Sequence, residues 1–197
     1  MLNVASHCVG FLLALVGYIL LLTKADSAKL VVIASVYGLS LALMFLSSSI
    51  YHFISNTNIK KVFRKIDHIA IYLLIAGSYT PFLIVAVDSQ LANIGMVIIW
   101  LIAILGIVFK LTLGHKYPKL SISTYALMGW LALFMIYPIY NALSGAGFTL
   151  LIIGGLCYSA GIPLYLLKSR DFSHALWHMF VVAGAVCHYF AIYLHVF

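Results

Sequence analysis

Acidic side chains are almost missing from this chain. Its 197 residues include no glutamate and only four aspartates, Asp26, Asp67, Asp88 and Asp171. Any chemistry that needs a carboxylate must draw on one of these four. Charge of either sign is scarce: charged residues make up 8% of the chain, against about a quarter in an average soluble domain. That scarcity excludes a soluble domain and a charge-rich disordered chain. Cysteine is also sparse. Cys8, Cys157 and Cys187 show no CxxC spacing, which excludes a disulfide framework and a thiolate zinc knuckle. They read as small packing residues.

Apolar residues fill the space left by these absences. The chain is 65% hydrophobic, with a mean hydropathy of +1.15. A net charge of +7 does not make it a nucleic-acid binder, because a basic patch needs a solvated surface to sit on. The basic residues serve instead as membrane anchors and topology signals.

Charged residues cut the sequence into stretches of membrane-spanning length. Residues 1–23, 30–59, 68–87, 89–109, 120–167 and 172–197 carry none. A helix needs about 20 apolar residues to cross the hydrocarbon core. Five stretches fit one span each. The stretch 120–167 must fold back once, and the turn-rich segment 141–147 supplies the break. The expectation is an all-α, seven-transmembrane helix bundle forming one domain over 1–197. Its helices fall near 3–22, 30–54, 66–87, 91–110, 121–140, 148–167 and 172–195. The first helix lacks the basic n-region of a signal peptide and is expected to be retained.

The loops give an orientation. Lys60, Lys61, Arg64 and Lys65 follow helix two, Lys110, Lys116 and Lys119 follow helix four, and Lys168 and Arg170 follow helix six. The opposite side has Lys24 and Lys29. Positive-inside asymmetry then predicts a cytosolic N-terminus and an extracellular C-terminus in a multi-pass protein of the cell membrane. Gly154, Gly155, Ala160 and Gly161, with Ala183, Gly184 and Ala185, mark a close contact between helices six and seven. Pro81, Pro138 and Pro163 each remove a backbone donor inside a span and predict a kink.

Ionisable groups inside a membrane are expensive and therefore functional candidates. His52 ends helix two, Asp67 falls in the expected first turn of helix three, and His174 and His178 begin helix seven. All four lie at the cytosolic edge. His174 and His178 are one turn apart on one face, roughly 6 Å along the axis. Ser48 stands one turn deeper than His52, placed to orient a ligand or water. Three neutral imidazoles with an open fourth position are the pattern of catalytic zinc. Such a metal lowers the pKa of a bound water, and Asp67 could accept its proton. Asp67 has alternatives as a helix N-cap or as a partner of Arg64 or Lys65. His68 points about 100° away from Asp67 on a helix and is the weaker ligand candidate. His188 lies roughly 15 Å beyond His178, too far for the same ion, and could line a cavity. His7 could approach the site, whereas His115 and His195 look like interface residues.

These elements resemble a known family. Ser48-Ser-Ile-Tyr-His52, the segment from Asp67 through Tyr79-Thr-Pro-Phe82, and His174-Ala-Leu-Trp-His178 with His188 following are similar to the signature of the hemolysin III branch of the progestin and adipoQ receptor (PAQR) family. The resemblance covers essentially the whole chain. It implies seven helices, a cytosolic N-terminus and zinc bound by His52, His174 and His178 near the cytosolic face. It further implies that Asp67 contacts the metal-bound water and that Ser48 supports the site. The wider superfamily includes alkaline ceramidases, and the bacterial branch is linked to cytolysis by its label and to lipid homeostasis. One departure stands out: members often carry acidic residues just before the first helix, and Met1-Leu-Asn3 has none.

The function expected is a zinc-dependent hydrolase of a membrane lipid amide or ester. The alternatives are a zinc-stabilised sensor or receptor-like protein without turnover, and a pore-forming cytolysin. The expected substrate or ligand is a membrane lipid. The sequence names no protein partner.

Overall fold

Long charge-free runs leave the backbone one way to satisfy its hydrogen bonds in lipid, which is to form helices. The structure, a computed structural model, describes residues 2–114, 116–167 and 171–197. The described residues are helical almost throughout and include no strand. Seven helices are long and apolar enough to cross a membrane: α1 Leu2–Lys24, α2 Ala28–Phe53, α3 Thr57–Val87, α4 Gln90–Thr112, α5 Leu120–Ala142, α6 Gly145–Leu166 and α7 Phe172–His195. Local chemistry sets their starts. Ser27, Ser89 and Ser144 cap α2, α4 and α6 by accepting from the backbone N–H three residues on.

One boundary differs substantially from the sequence expectation. Helix three begins at Thr57, not near residue 66, and Asn56 caps it by accepting from the backbone N–H groups of Asn58 and Ile59. Lys60, Lys61, Arg64 and Lys65 therefore ride on the helix and not in a loop. Lysine and arginine are good helix formers, so the helix runs on past the edge of the apolar layer. Asp67 accordingly sits in the third turn and is not the N-cap. The break between α5 and α6 is also tighter than the segment 141–147, since α5 ends at Ala142 and Ser144 already caps α6.

Of the three prolines inside spans, two alter the helix around them. After Pro81 the backbone of α3 widens into a π-helix over Phe82–Val87. In α5 a 3₁₀ stretch, Leu131–Met135, precedes the turn that holds Pro138. Pro163 lies inside an uninterrupted α-helix. Within a bundle, such local readjustments re-satisfy the backbone groups a proline frees.

Contacts fix the arrangement. Gly10 of α1 faces Phe45 of α2, Gly77 of α3 faces Ser40 of α2, and Gly106 of α4 faces Tyr72 of α3. Consecutive helices are therefore antiparallel. Tyr189 of α7 donates to the Gly17 carbonyl of α1 at 3.1 Å, so the first and last helices run side by side in the same direction. The helices α2 and α3 are central, while α4 exposes Ile94, Val97, Leu101, Ile104 and Leu105 outward. An apolar belt of that extent fits lipid and not water.

The α6–α7 pair is the most extensive helix contact. A Cβ on Gly154 would strike the His188 ring and stand 3.1 Å from the Gly184 carbonyl oxygen. Gly154 and Gly184 thus bring the two backbones together as the small-residue pattern predicts. Gly155 differs, because it meets open space and lines a cavity. Cys8 departs from its packing role by being exposed on α1, and all three cysteines are free thiols.

Candidate metal centre

At the end of the bundle where the odd-numbered helices begin, the last turn of α2 meets the first turns of α7. His52 and His174, 122 residues apart in sequence, bring their Nε2 atoms to 3.2 Å. His178, one turn further along α7, completes a triad whose candidate ligand atoms all lie within 4.8 Å of one another. The ring centroids of His52 and His178 are 5.0 Å apart, and those of His174 and His178 are 4.7 Å apart.

The donor set fits a tetrahedral metal ion. With metal–nitrogen bonds of about 2.0–2.1 Å, two tetrahedral ligands stand about 3.3 Å apart. The His52–His174 separation already matches that spacing, and closing the triad on one ion asks for about 1.5 Å of side-chain adjustment. The state of His178 points the same way. Its ring is fully buried, with Nδ1 at 3.2 Å from the Asn3 carbonyl oxygen. A carbonyl only accepts, so Nδ1 carries the proton and Nε2 is left with a free lone pair. That Nε2 is buried and has no protein partner. An inward lone pair held in place by an outward N–H bond is the usual arrangement of a metal-ligating histidine.

Asp67 and Ser48 face each other across α3 and α2, both buried, so the hydroxyl can hold the carboxylate. Asp67 stands outside the three-histidine group. It lies in the wall of a cavity that His174 also lines. The cavity measures about 360 Å³ and runs between α3, α5, α6 and α7. Its surface is mostly apolar, with Ile71, Ile75, Phe82, Leu133 and Leu156 among the lining residues. Its charged side chains, Arg64 and Asp67, stand at the triad end together with His68 and His174. α5 and α6 pack against one another sparingly, which leaves room for the cavity between them.

The remaining histidines separate cleanly. His68 lines the cavity but is not part of the triad. His188 lines the cavity deep in the bundle and donates from Nε2 to the Leu151 carbonyl at 3.1 Å. His195 meets Ser144 at 2.8 Å at the opposite end. His115 lies outside the described residues, as do Lys168 and Arg170.

The start of α1 was only partly foreseen. His7 does approach the site, stacked on His178 with ring centroids 3.6 Å apart. The contacts of Asn3 and Ser6 with His178 had no signal beyond their spacing on one face of α1. A carbonyl that fixes an imidazole leaves no mark on the amino-acid string.

Comparison with known proteins follows the same lines. The chain matches the Haemolysin-III related family over residues 1–189. It is 40% identical over 197 residues to Hemolysin-3 of Bacillus cereus, covering 98% of this chain and 90% of the relative. It is 41% identical over 193 residues to the Hemolysin-3 homolog of Bacillus subtilis (strain 168), covering 96% and 91%. The human Monocyte to macrophage differentiation factor is 30% identical over 203 residues, covering 99% of this chain and 83% of that protein. With seven spanning helices and these relatives along its length, the chain is a multi-pass membrane protein and belongs to the haemolysin III branch of the PAQR family.

Proposed function

We propose that this chain is a zinc-dependent hydrolase that cleaves a membrane lipid amide or ester and acts in lipid homeostasis. The observation that carries the reading is an open three-imidazole donor set beside an apolar cavity whose wall also holds a buried carboxylate. His52, His174 and His178 hold the metal. Zinc suits three neutral nitrogen ligands, and when bound it supplies Lewis acidity and a water acidified towards neutrality. The apolar wall takes the lipid chain and leaves its carbonyl at the polar end. Asp67, oriented by Ser48, accepts a proton as the water oxygen bonds to the acyl carbon. It then returns that proton to the amine or alcohol as the carbon–nitrogen or carbon–oxygen bond breaks. The products are a fatty acid and the freed headgroup base or alcohol.

The orientation belongs to the same reading. Lys60, Lys61, Arg64, Lys65, Lys110 and Lys116 lie towards the triad end of the bundle, whereas Lys24 and Lys29 lie at the other. The excess of positive charge supports a site on the cytosolic side, with the N-terminus inside and the C-terminus outside.

A second reading has its own support. The ligand-bearing helices α2 and α7 pack against each other sparingly among the described residues. A metal joining His52 to His174 and His178 would then staple them, as a sensor without turnover requires. Asp67→Asn separates the two readings, because it keeps shape and removes charge. If Asp67 moves the proton, bound zinc is retained while release of fatty acid from ceramide-like and ester lipids falls by about two or more orders of magnitude. Undiminished hydrolysis in the variant removes Asp67 from the chemistry. Absence of hydrolysis by zinc-loaded wild type across the lipid panel favours the staple.

A further inference from the structure

The first two turns of α1 enclose His178 by two kinds of contact. The Nδ1 of His178 lies 3.2 Å from the Asn3 carbonyl oxygen and 3.3 Å from Ser6 Oγ. The Ser6 hydroxyl donates to that same carbonyl at 3.2 Å. These three contacts have one consistent set of protons. The Nδ1–H is shared between the Asn3 carbonyl and Ser6 Oγ, and the hydroxyl hydrogen closes the ring on the carbonyl.

His7 supplies the other contact. Its ring lies over His178 with planes 13° apart and is 1% exposed. Phe45 meets its edge, with centroids 5.1 Å apart. Both His7 nitrogens are buried without a protein partner, an arrangement that folded chains avoid unless it serves something. A flat ring pressed against His178 blocks rotation of the imidazole about its own axis. A metal held at Nε2 would draw electron density from His178 and so favour its stacking with the ring of His7.

We propose that Ser6 and His7, with the backbone carbonyl of Asn3, are the positioning residues of the metal centre. α1 contributes no ligand, but it fixes the tautomer and direction of His178 and thereby sets the affinity of the triad. This rests on the reading of His52, His174 and His178 as a metal site. Groups that orient a metal-ligating histidine typically change metal affinity by about 10–100-fold when removed.

The test uses the full chain, purified in detergent and stripped of metal. Zn²⁺ affinity is measured by competition with a chromophoric chelator, and the visible spectrum of Co²⁺ added in place of zinc reports the ligand geometry. Ser6→Ala and His7→Ala are each expected to weaken Zn²⁺ binding about tenfold or more and to alter the Co²⁺ spectrum. Ser6→Thr restores the hydroxyl and His7→Phe restores the flat ring, and both should return affinity to within about threefold of wild type. Should His7→Ala fail to fold, the Ser6 pair decides alone. Wild-type affinity and spectrum in both alanine variants overturn the proposal while leaving the triad intact. A wild-type chain that takes up neither metal instead removes the triad, and this inference with it.

Discussion

Replacing His178 with alanine tests the metal centre most directly. The ring is fully buried, and its Nε2 has no partner within the protein. Structural zinc sites with four ligands have apparent binding free energies of about 10–16 kcal/mol, or about 2.5–4 kcal/mol per ligand. Losing one ligand therefore raises the dissociation constant about 10²–10³-fold. At free zinc a thousand times the wild-type constant, binding adds about 4 kcal/mol to stability. The same zinc concentration adds about 0.4 kcal/mol to a variant a thousandfold weaker, and about 1.4 kcal/mol to one a hundredfold weaker. The readout is thermal unfolding in detergent with and without zinc, alongside the metal content of the same samples. Wild type should gain a zinc-dependent rise in melting temperature that His178→Ala largely lacks. His195→Ala, altered at the far end of α7, should keep the full rise. An equal rise in wild type and His178→Ala would refute the assignment of this nitrogen to the metal.

Two further outcomes follow from the packing and the charge distribution. Gly154→Ala forces a Cβ against the His188 ring and towards the Gly184 carbonyl, so it should destabilise the bundle by about 1–3 kcal/mol, read as a lower melting temperature; an unchanged melting point would deny the close contact of α6 and α7. Reporter tags on the two termini should read opposite sides of the membrane, with the N-terminal tag in the cytosol. Two tags on one side would contradict the odd number of spans.

Much of this architecture can be read from the sequence, because lipid punishes charge and leaves backbone groups no partner but the helix itself. The spacing of lysine, arginine and aspartate therefore marks six apolar stretches, and the turn-rich segment 141–147 divides the longest of them into the fifth and sixth spans. The beginning of α3 escapes that logic. Charge marks the edge of the apolar layer at Asp67, but Asn56 marks the edge of the helix, eleven residues earlier. Ser48, His52, His174 and His178 were legible because i, i+4 spacing survives any error in helix ends. The π-helix after Pro81 and the 3₁₀ stretch before Pro138 were not, since a proline announces a disturbance without saying which geometry absorbs it. The role of Asn3 belongs to its backbone and has no side-chain signature.

The meeting of His52 with His174 and His178 has a consequence for how the protein is made. A chain is synthesised from its N-terminus, and elements made early can settle before later ones exist. α2 enters the membrane early with one imidazole. The other two arrive with the last helix, 122 residues later. No truncated or half-inserted chain can present the complete donor set, and α1 must wait for α7 before Asn3 and Ser6 find the imidazole they hold. On the proposed reading, metal capture would be the closing event of biogenesis. It would reward only molecules whose first and last helices have found each other, and a cell starved of the ion would accumulate chains that are fully inserted but unlatched.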